Sequence, residues 1–180
     1  MKGFNFFRGI LQHYNHEKYW NMREYIQNNP SGGIKKYWFA FRIKRIDYRF
    51  NASTGISLDG SSAYFASRPT LPHELNGIII AKRSRIGKNA RIFHQVTIGN
   101  DDKDGKNVPT IGDDVRIYPG AKILGKIHIG DRCIIGANVV LVHDVPDDTL
   151  VVVDKPRMIE RKQRKDSSTL RSQNENPVGC

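Results

Sequence analysis

Aliphatic residues recur every six positions through the second half of the chain. Ten of them share one register, on both sides of a single polar interruption: Ile80, Ile86, Ile92, Ile98, Ile111, Ile117, Ile123, Ile129, Ile135 and Leu141. A period of six fits neither the 3.6-residue repeat of a helix nor the two-residue repeat of a strand. It fits a short strand followed by a turn, and three such units close one triangular coil of a parallel β-helix. We therefore predict an all-β solenoid over residues 55–160.

The residues between the anchors refine this prediction. Four positions after the anchors stand residues that are small or β-branched and suit tight corners: Ser84, Ala90, Val96, Val115, Ala121, Ile127, Cys133, Val139 and Val145. Cys133 is therefore predicted to be a core or corner residue and not a nucleophile. Residues 99–110 are too polar for a coil and predict an exposed loop that leaves the solenoid.

The first 54 residues follow a different pattern and predict a helical N-terminal cap. Apolar residues at helical spacing run up to a break at residues 28–33 (NNPSGG), and residues 35–50 predict a second helix. Residues 161–180 are polar and basic and predict a flexible tail.

Charge and aromatic residues divide the chain in the same places. The net charge of +11 splits into +7 over residues 1–50, +1 over 51–160 and +3 over 161–180, and thirteen of the seventeen aromatic residues lie within the first fifty. A basic aromatic segment favours a structural cap or subunit contact, with an anionic membrane surface as the alternative. We expect no nucleic acid partner, because no RNA-recognition or helix-turn-helix signature is present.

Composition also limits the location of the chain and its chemistry. No stretch approaches 18 consecutive apolar residues, which excludes a membrane-spanning helix. The first twenty residues lack the features of a signal peptide, so a cytoplasmic location is expected. Two cysteines, Cys133 and Cys180, cannot form a disulfide framework or a cysteine metal site.

Four blocks in the repeat region carry a family resemblance. They are residues 71–78 (LPHELNGI), 92–99 (IFHQVTIG), 109–113 (PTIGD) and 120–125 (GAKILG). Together they resemble serine acetyltransferase and its relatives that O-acetylate bacterial surface sugars. The resemblance implies a left-handed parallel β-helix, a homotrimer with sites between subunits, and acetyl transfer from acetyl-CoA to a hydroxyl group, without a metal.

The same resemblance assigns roles to individual residues. His73 matches the general base of the family, and Asp59 is the nearest acid to the position of its carboxylate partner. Gly99, Ala121 and Ala137 match small residues along which the coenzyme packs, and Pro156 matches the proline of the closing block.

The acceptor prediction depends on a departure from the serine enzymes. Those enzymes carry a second histidine before the resumed repeat, and Val108 occupies that position here. We therefore expect a sugar hydroxyl of a bacterial surface polysaccharide as the acceptor, with serine as the alternative. A non-catalytic solenoid scaffold is the alternative from another class. A zinc carbonic anhydrase of this fold would need two histidines five residues apart, and the chain has no such pair.

His94 is a further candidate that the repeat register itself indicates. It follows the anchor Ile92 by two residues, as His73 follows Leu71 by two, and three units separate these anchors. His94 should therefore lie on the same face as His73, one coil along. We predict either that it binds the acceptor hydroxyl or that it is an exposed turn residue.

Overall fold

The computed structural model describes residues 14–57, 62–101, 105–155 and 157–159. Two helices, α1 (His16–Asn28) and α2 (Gly33–Arg49), precede twelve short strands. The strands are β1 (Tyr64–Phe65), β2 (Ile79–Ile80), β3 (Arg85–Ile86), β4 (Arg91–Ile92), β5 (Thr97–Gly99), β6 (Thr110–Ile111), β7 (Arg116–Ile117), β8 (Lys122–Leu124), β9 (His128–Ile129), β10 (Ile134–Ile135), β11 (Val140–Leu141) and β12 (Leu150–Val151). No described helix has the length and apolar character needed to cross a membrane.

The strands form three parallel four-stranded sheets, which are the faces of a left-handed β-helix. Their orders are β11-β8-β5-β2, β1-β3-β6-β9 and β12-β10-β7-β4, and we name them sheets A, B and C. Consecutive strands lie in different sheets, and every third repeat returns to the same sheet one coil along. Each anchor therefore stacks on the anchor of the next coil. In sheet A the stacked anchors are Ile80, Ile98, Ile123 and Leu141. The predicted solenoid is confirmed.

The core follows the six-residue repeat closely. All ten predicted anchors are buried, and so are the nine residues that stand four positions after them. Cys133 is fully buried and its thiol donates to the Pro146 carbonyl oxygen at 3.0 Å, as its corner position predicts. The first coil departs from the register, because Phe65 is buried while the neighbouring Tyr64 is 41% exposed.

A ladder of aspartates stabilises the corner between sheets B and C. The Asp113 carboxylate accepts the Lys88 N–H at 2.6 Å, and the Asp131 carboxylate accepts the Asp113 N–H at 2.7 Å. The glycine that precedes each of these N–H donors leaves room for the aspartate carboxylate of the next coil. A Cβ atom added at Gly112 would collide with Asp131 Oδ1 and with the main chain of the next coil.

The helices form as the sequence predicts and pack on the first coil. The Asn15 side chain caps α1 by accepting the Lys18 N–H at 2.9 Å, and α1 ends before the Asn29-Pro30 break. Its core-facing side buries Tyr19, Trp20 and Ile26. Residues 1–13 of the predicted cap and the predicted tail 161–180 lie outside the described residues.

A buried polar cluster joins both helices to the solenoid. Tyr19 of α1 donates to the Asp47 carboxylate of α2 at 2.6 Å and contacts the Thr54 hydroxyl at 2.6 Å. Arg23 donates to Thr54 Oγ1 at 3.0 Å and to the Ala63 carbonyl oxygen at 2.9 Å. Burial raises the pKa of Asp47 and lowers the pKa of Arg23 to about 10.

This cluster crosses the predicted boundary at residue 54, and Ser53 already pairs with Ile79 of sheet A.

Candidate active site

One corner of the solenoid carries the two histidines that are the candidate catalytic and acceptor-binding residues. In sheet C, Thr70 pairs with Arg91, so Leu71 lies beside the anchor Ile92. Ile92 pairs with Ile117, and Ile117 pairs with Ile135. The residues two positions after these four therefore stack along the corner between sheets C and A: His73, His94, Pro119 and Ala137. Successive coils are about 4.8 Å apart, so Ala137 lies about 14 Å along the axis from His73.

His73 and His94 are in direct contact. Their Nδ1 atoms are 2.6 Å apart, and their ring centroids are 4.6 Å apart with an interplanar angle of 48°. His73 is exposed and His94 is half-buried. The predicted placement of His94 one coil from His73 is thus observed.

The contact fixes how the two imidazoles share protons. Between two neutral rings one Nδ1–H donates and the other Nδ1 accepts. The donating ring then has a bare Nε2, which can take a proton. The accepting ring carries an Nε2–H, which can donate one hydrogen bond. The pair therefore supplies one base and one donor, both on the outside of the same corner.

An aromatic pair lies beside the histidines. Phe93 and Tyr118 stack with their ring centroids 5.0 Å apart and an interplanar angle of 10°. The ring centroids of His73 and Phe93 are 5.8 Å apart, with an interplanar angle of 82°. Both aromatic residues stand one position after a sheet C anchor, next to the histidine column. Sequence reasoning did not select them as site residues, although this position in the repeat was the signal that could have found them.

The outer face of sheet C beside this corner is basic. Arg91 and Arg116 occupy directly paired positions on neighbouring strands and both are exposed. The guanidinium carbon of Arg91 also lies over the Phe93 ring, 5.7 Å from the ring centroid. Like charges at paired positions repel each other, so this arrangement favours an anionic ligand on the face next to the histidines.

The residues predicted to contact the coenzyme differ in their placement. Ala137 is exposed and shares the corner column of the histidines. Gly99 ends β5, and a Cβ atom there would meet the Leu124 side chain at 2.9 Å. Ala121 is fully buried, and both its main-chain groups form hydrogen bonds within the solenoid. Pro156 and Asp59 lie outside the described residues.

The segment predicted to be an exposed loop, residues 99–110, connects β5 and β6, and its two end residues, Gly99 and Thr110, belong to these strands. Of this loop the structure describes residues 99–101 and 105–110. The Asn107 side chain donates to the Asp101 carboxylate at 2.9 Å. Val108, which replaces a family histidine, is half-buried.

The other histidines that the structure describes lie away from the pair. His128 and His143 are exposed on other faces of the solenoid. His16 contacts the Tyr14 hydroxyl at 3.0 Å, and burial lowers its pKa. Within the described ranges, no group of three or more His, Cys, Asp or Glu side chains could hold a metal ion.

The chain is similar in sequence to known acetyltransferases. Residues 109–143 match the model "Bacterial transferase hexapeptide (six repeats)". Serine acetyltransferase of Bacillus subtilis is 37% identical over 132 residues, which cover 73% of this chain and 59% of the relative. The Mycobacterium tuberculosis enzyme is 37% identical over 111 residues, which cover 61% of this chain and 48% of the relative.

A solved structure supports the same relationship. Serine acetyltransferase of Neisseria gonorrhoeae superposes with a TM-score of 0.63 at 30% identity, over 76% of this chain and 52% of that one. The chain thus spans about half to three-fifths of the length of the relatives it matches.

Proposed function

Since this chain is a hexapeptide-repeat protein of the bacterial transferase type, related to the serine acetyltransferases, we propose that it is an acetyl-CoA-dependent O-acetyltransferase with His73 as its general base. The observation that carries the proposal is the 2.6 Å contact between His73 and His94. A scaffold of the same fold has no need of two imidazoles joined through Nδ1 on an exposed corner.

The reaction follows from the proton arrangement of the pair. In the proposed arrangement His73 donates from Nδ1 to His94, so that its Nε2 is free to take the proton of the acceptor hydroxyl. The hydroxyl oxygen attacks the thioester carbonyl, the new C–O bond forms, and the C–S bond breaks. The proton then passes from His73 to the departing thiolate, which gives an acetyl ester and free coenzyme A. Positioned bases of this kind accelerate reactions roughly 10²–10⁴-fold.

His94 supports this step in two ways. When His73 takes the proton, its Nδ1–H bond to His94 becomes charge-assisted and therefore stronger. His94 Nε2–H remains available to donate to an oxygen of the acceptor, which is one of the two roles predicted for His94. Transfer is direct, because Cys133 is buried in the core and bonded to main-chain oxygens.

The coenzyme is proposed to lie along the corner that carries Ala137. A small exposed side chain there lets a pantetheine arm approach the main chain, and the basic pair Arg91 and Arg116 suits its phosphate groups. Gly99, Ala121, Pro156 and the orienting acid Asp59 stay predictions. Ala121 would act only by being small.

Two acceptors are supported by different observations. The named relatives and solved structures are serine acetyltransferases, and they favour serine over a sugar. Two features of the chain favour a sugar. Val108 cannot pair with the charged groups of an amino acid, and the Phe93–Tyr118 pair gives a broad apolar surface tipped by a hydroxyl beside the histidines. We propose a polysaccharide sugar as the acceptor and keep serine as the second candidate.

A direct assay separates these readings. The purified chain is incubated with acetyl-CoA and either serine or a panel of pyranosides, and free thiol and acetylated product are both measured. A sugar acceptor predicts thiol release and a mass increase of one acetyl group with at least one pyranoside and weak turnover with serine. Efficient turnover with serine alone would assign the serine activity. The absence of coenzyme binding and of transfer to any acceptor would favour the scaffold.

A further inference from the structure

The outer face of α2 carries aromatic and basic residues that the fold does not use. The inner side of this helix is buried through Lys36, Ala40, Ile43 and Asp47. The opposite side exposes large apolar and basic side chains, which we name the arginine–aromatic face: Ile34, Tyr37, Trp38, Phe41, Arg42, Arg45, Tyr48 and Arg49. Trp38 and Phe41 are 55% and 57% exposed, and their rings stack at 6.1 Å.

The charge of α2 is strongly one-sided. The helix has six lysines and arginines against one acidic residue, Asp47, which is buried and accepts the Tyr19 hydroxyl hydrogen bond. Within the part of the chain that the structure describes, Arg42, Arg45 and Arg49 form no ion pair. These arginines line one groove together with Trp38, Phe41 and Ile46.

We propose that the arginine–aromatic face docks α2 on the surface of an anionic phospholipid bilayer. Interfacial helices place aromatic and aliphatic side chains at the level of the headgroups, while arginines bind the lipid phosphates. The exposed side of α2 has both components and no exposed carboxylate, and the inner side is held against the protein. The helix therefore lies along the surface and does not enter the bilayer.

The same composition argues against the other occupants. A second copy docked face to face would bring Arg42, Arg45 and Arg49 against their own equivalents, and like charges across an interface are unfavourable. Nucleic acid binding by a stacking platform needs free aromatic faces and groups that meet the bases. On this face Trp38 and Phe41 stack on each other, and the chain has no RNA-recognition or helix-turn-helix signature.

The test uses the full chain and vesicles of two compositions. One is pure phosphatidylcholine, and the other contains phosphatidylcholine with about one-third phosphatidylglycerol. The chain has two tryptophans, of which Trp20 is buried and Trp38 is exposed, so a blue shift of emission reports Trp38 entering an apolar environment. Co-sedimentation gives the bound fraction. We expect binding and a blue shift with the anionic vesicles only, both weakened by salt.

A matched pair of double variants locates the surface. An arginine near an anionic surface contributes roughly a fivefold gain in partition. Arg42→Ala/Arg45→Ala should therefore weaken vesicle binding roughly 30-fold. Arg83→Ala/Arg85→Ala removes two exposed arginines from the solenoid and should bind nearly as the wild type does. Circular dichroism shows that both variants are folded.

Several outcomes would overturn the proposal. One is the absence of binding to anionic vesicles, and another is an equal loss of binding in the two double variants. Binding of single-stranded RNA that is lost in Arg42→Ala/Arg45→Ala, without vesicle binding, would assign the face to nucleic acid. A drop in oligomeric state in that variant, again without vesicle binding, would assign it to a subunit contact.

Discussion

Replacing His94 tests how the two histidines work together. In His94→Ala, His73 loses the acceptor that lies 2.6 Å from its Nδ1. A neutral side-chain hydrogen bond is worth about 1 kcal/mol and one to a charged group about 1.5–3 kcal/mol. Because the bond becomes charge-assisted only when His73 takes the proton, the transition state loses about 0.5–2 kcal/mol more than the ground state. This difference corresponds to a kcat lower by roughly 2- to 30-fold.

A conservative variant distinguishes the hydrogen bond from mere packing. In His94→Gln the side-chain carbonyl oxygen can still accept the His73 Nδ1–H. We therefore expect His94→Gln to recover most of the kcat that His94→Ala loses. His128→Ala, which removes an exposed histidine elsewhere on the solenoid, serves as the control and should leave kcat unchanged.

The assay is thiol release at saturating acetyl-CoA with the acceptor varied, which separates kcat from KM. A raised KM for the acceptor with unchanged kcat in His94→Ala would refute the partner role and leave only acceptor binding. Equal losses in His94→Ala and His94→Gln would show that the hydrogen bond is not the cause.

Three further predictions test the groove, the solenoid and the assembly. Ala137→Leu should raise the KM for acetyl-CoA several-fold at similar kcat, and an unchanged KM would show that the coenzyme runs elsewhere. Gly112→Ala should lower the free energy of unfolding by about 1–3 kcal/mol in urea titrations, because its Cβ meets Asp131 and the next coil, whereas Lys88→Ala should be nearly neutral. Light scattering should give a homotrimer at micromolar concentration, and a stable monomer would contradict the proposed intersubunit site.

The solenoid was predictable because its repeat is regular. From Ile80 onward the coils on each side of the loop repeat every six residues, so the burial of Ile98 or Ile123 follows from counting by six within its own run. The same counting placed His94 beside His73. It fails in the first coil, where the buried residue Phe65 lies outside the count of six that begins at Ile80.

Features that depend on contacts between distant residues were not predictable. The Tyr19–Asp47–Thr54 cluster joins three separate segments, and no local pattern marks Arg23 as a fully buried charge. The Phe93–Tyr118 pair needed the coil register and the side-chain directions together. Ala121 shows the limit of the resemblance, since matching a motif position did not reveal that its side chain points into the core.

The turnover of His73→Ala tests the central claim most directly. Circular dichroism and calorimetric titration with coenzyme A first establish that the variant is folded and binds the coenzyme as the wild type does. The account predicts that kcat then falls at least about a hundredfold, and that it falls further than in His94→Ala. Near-normal turnover in His73→Ala, with turnover abolished in His94→Ala, would contradict it and assign the base to the other histidine.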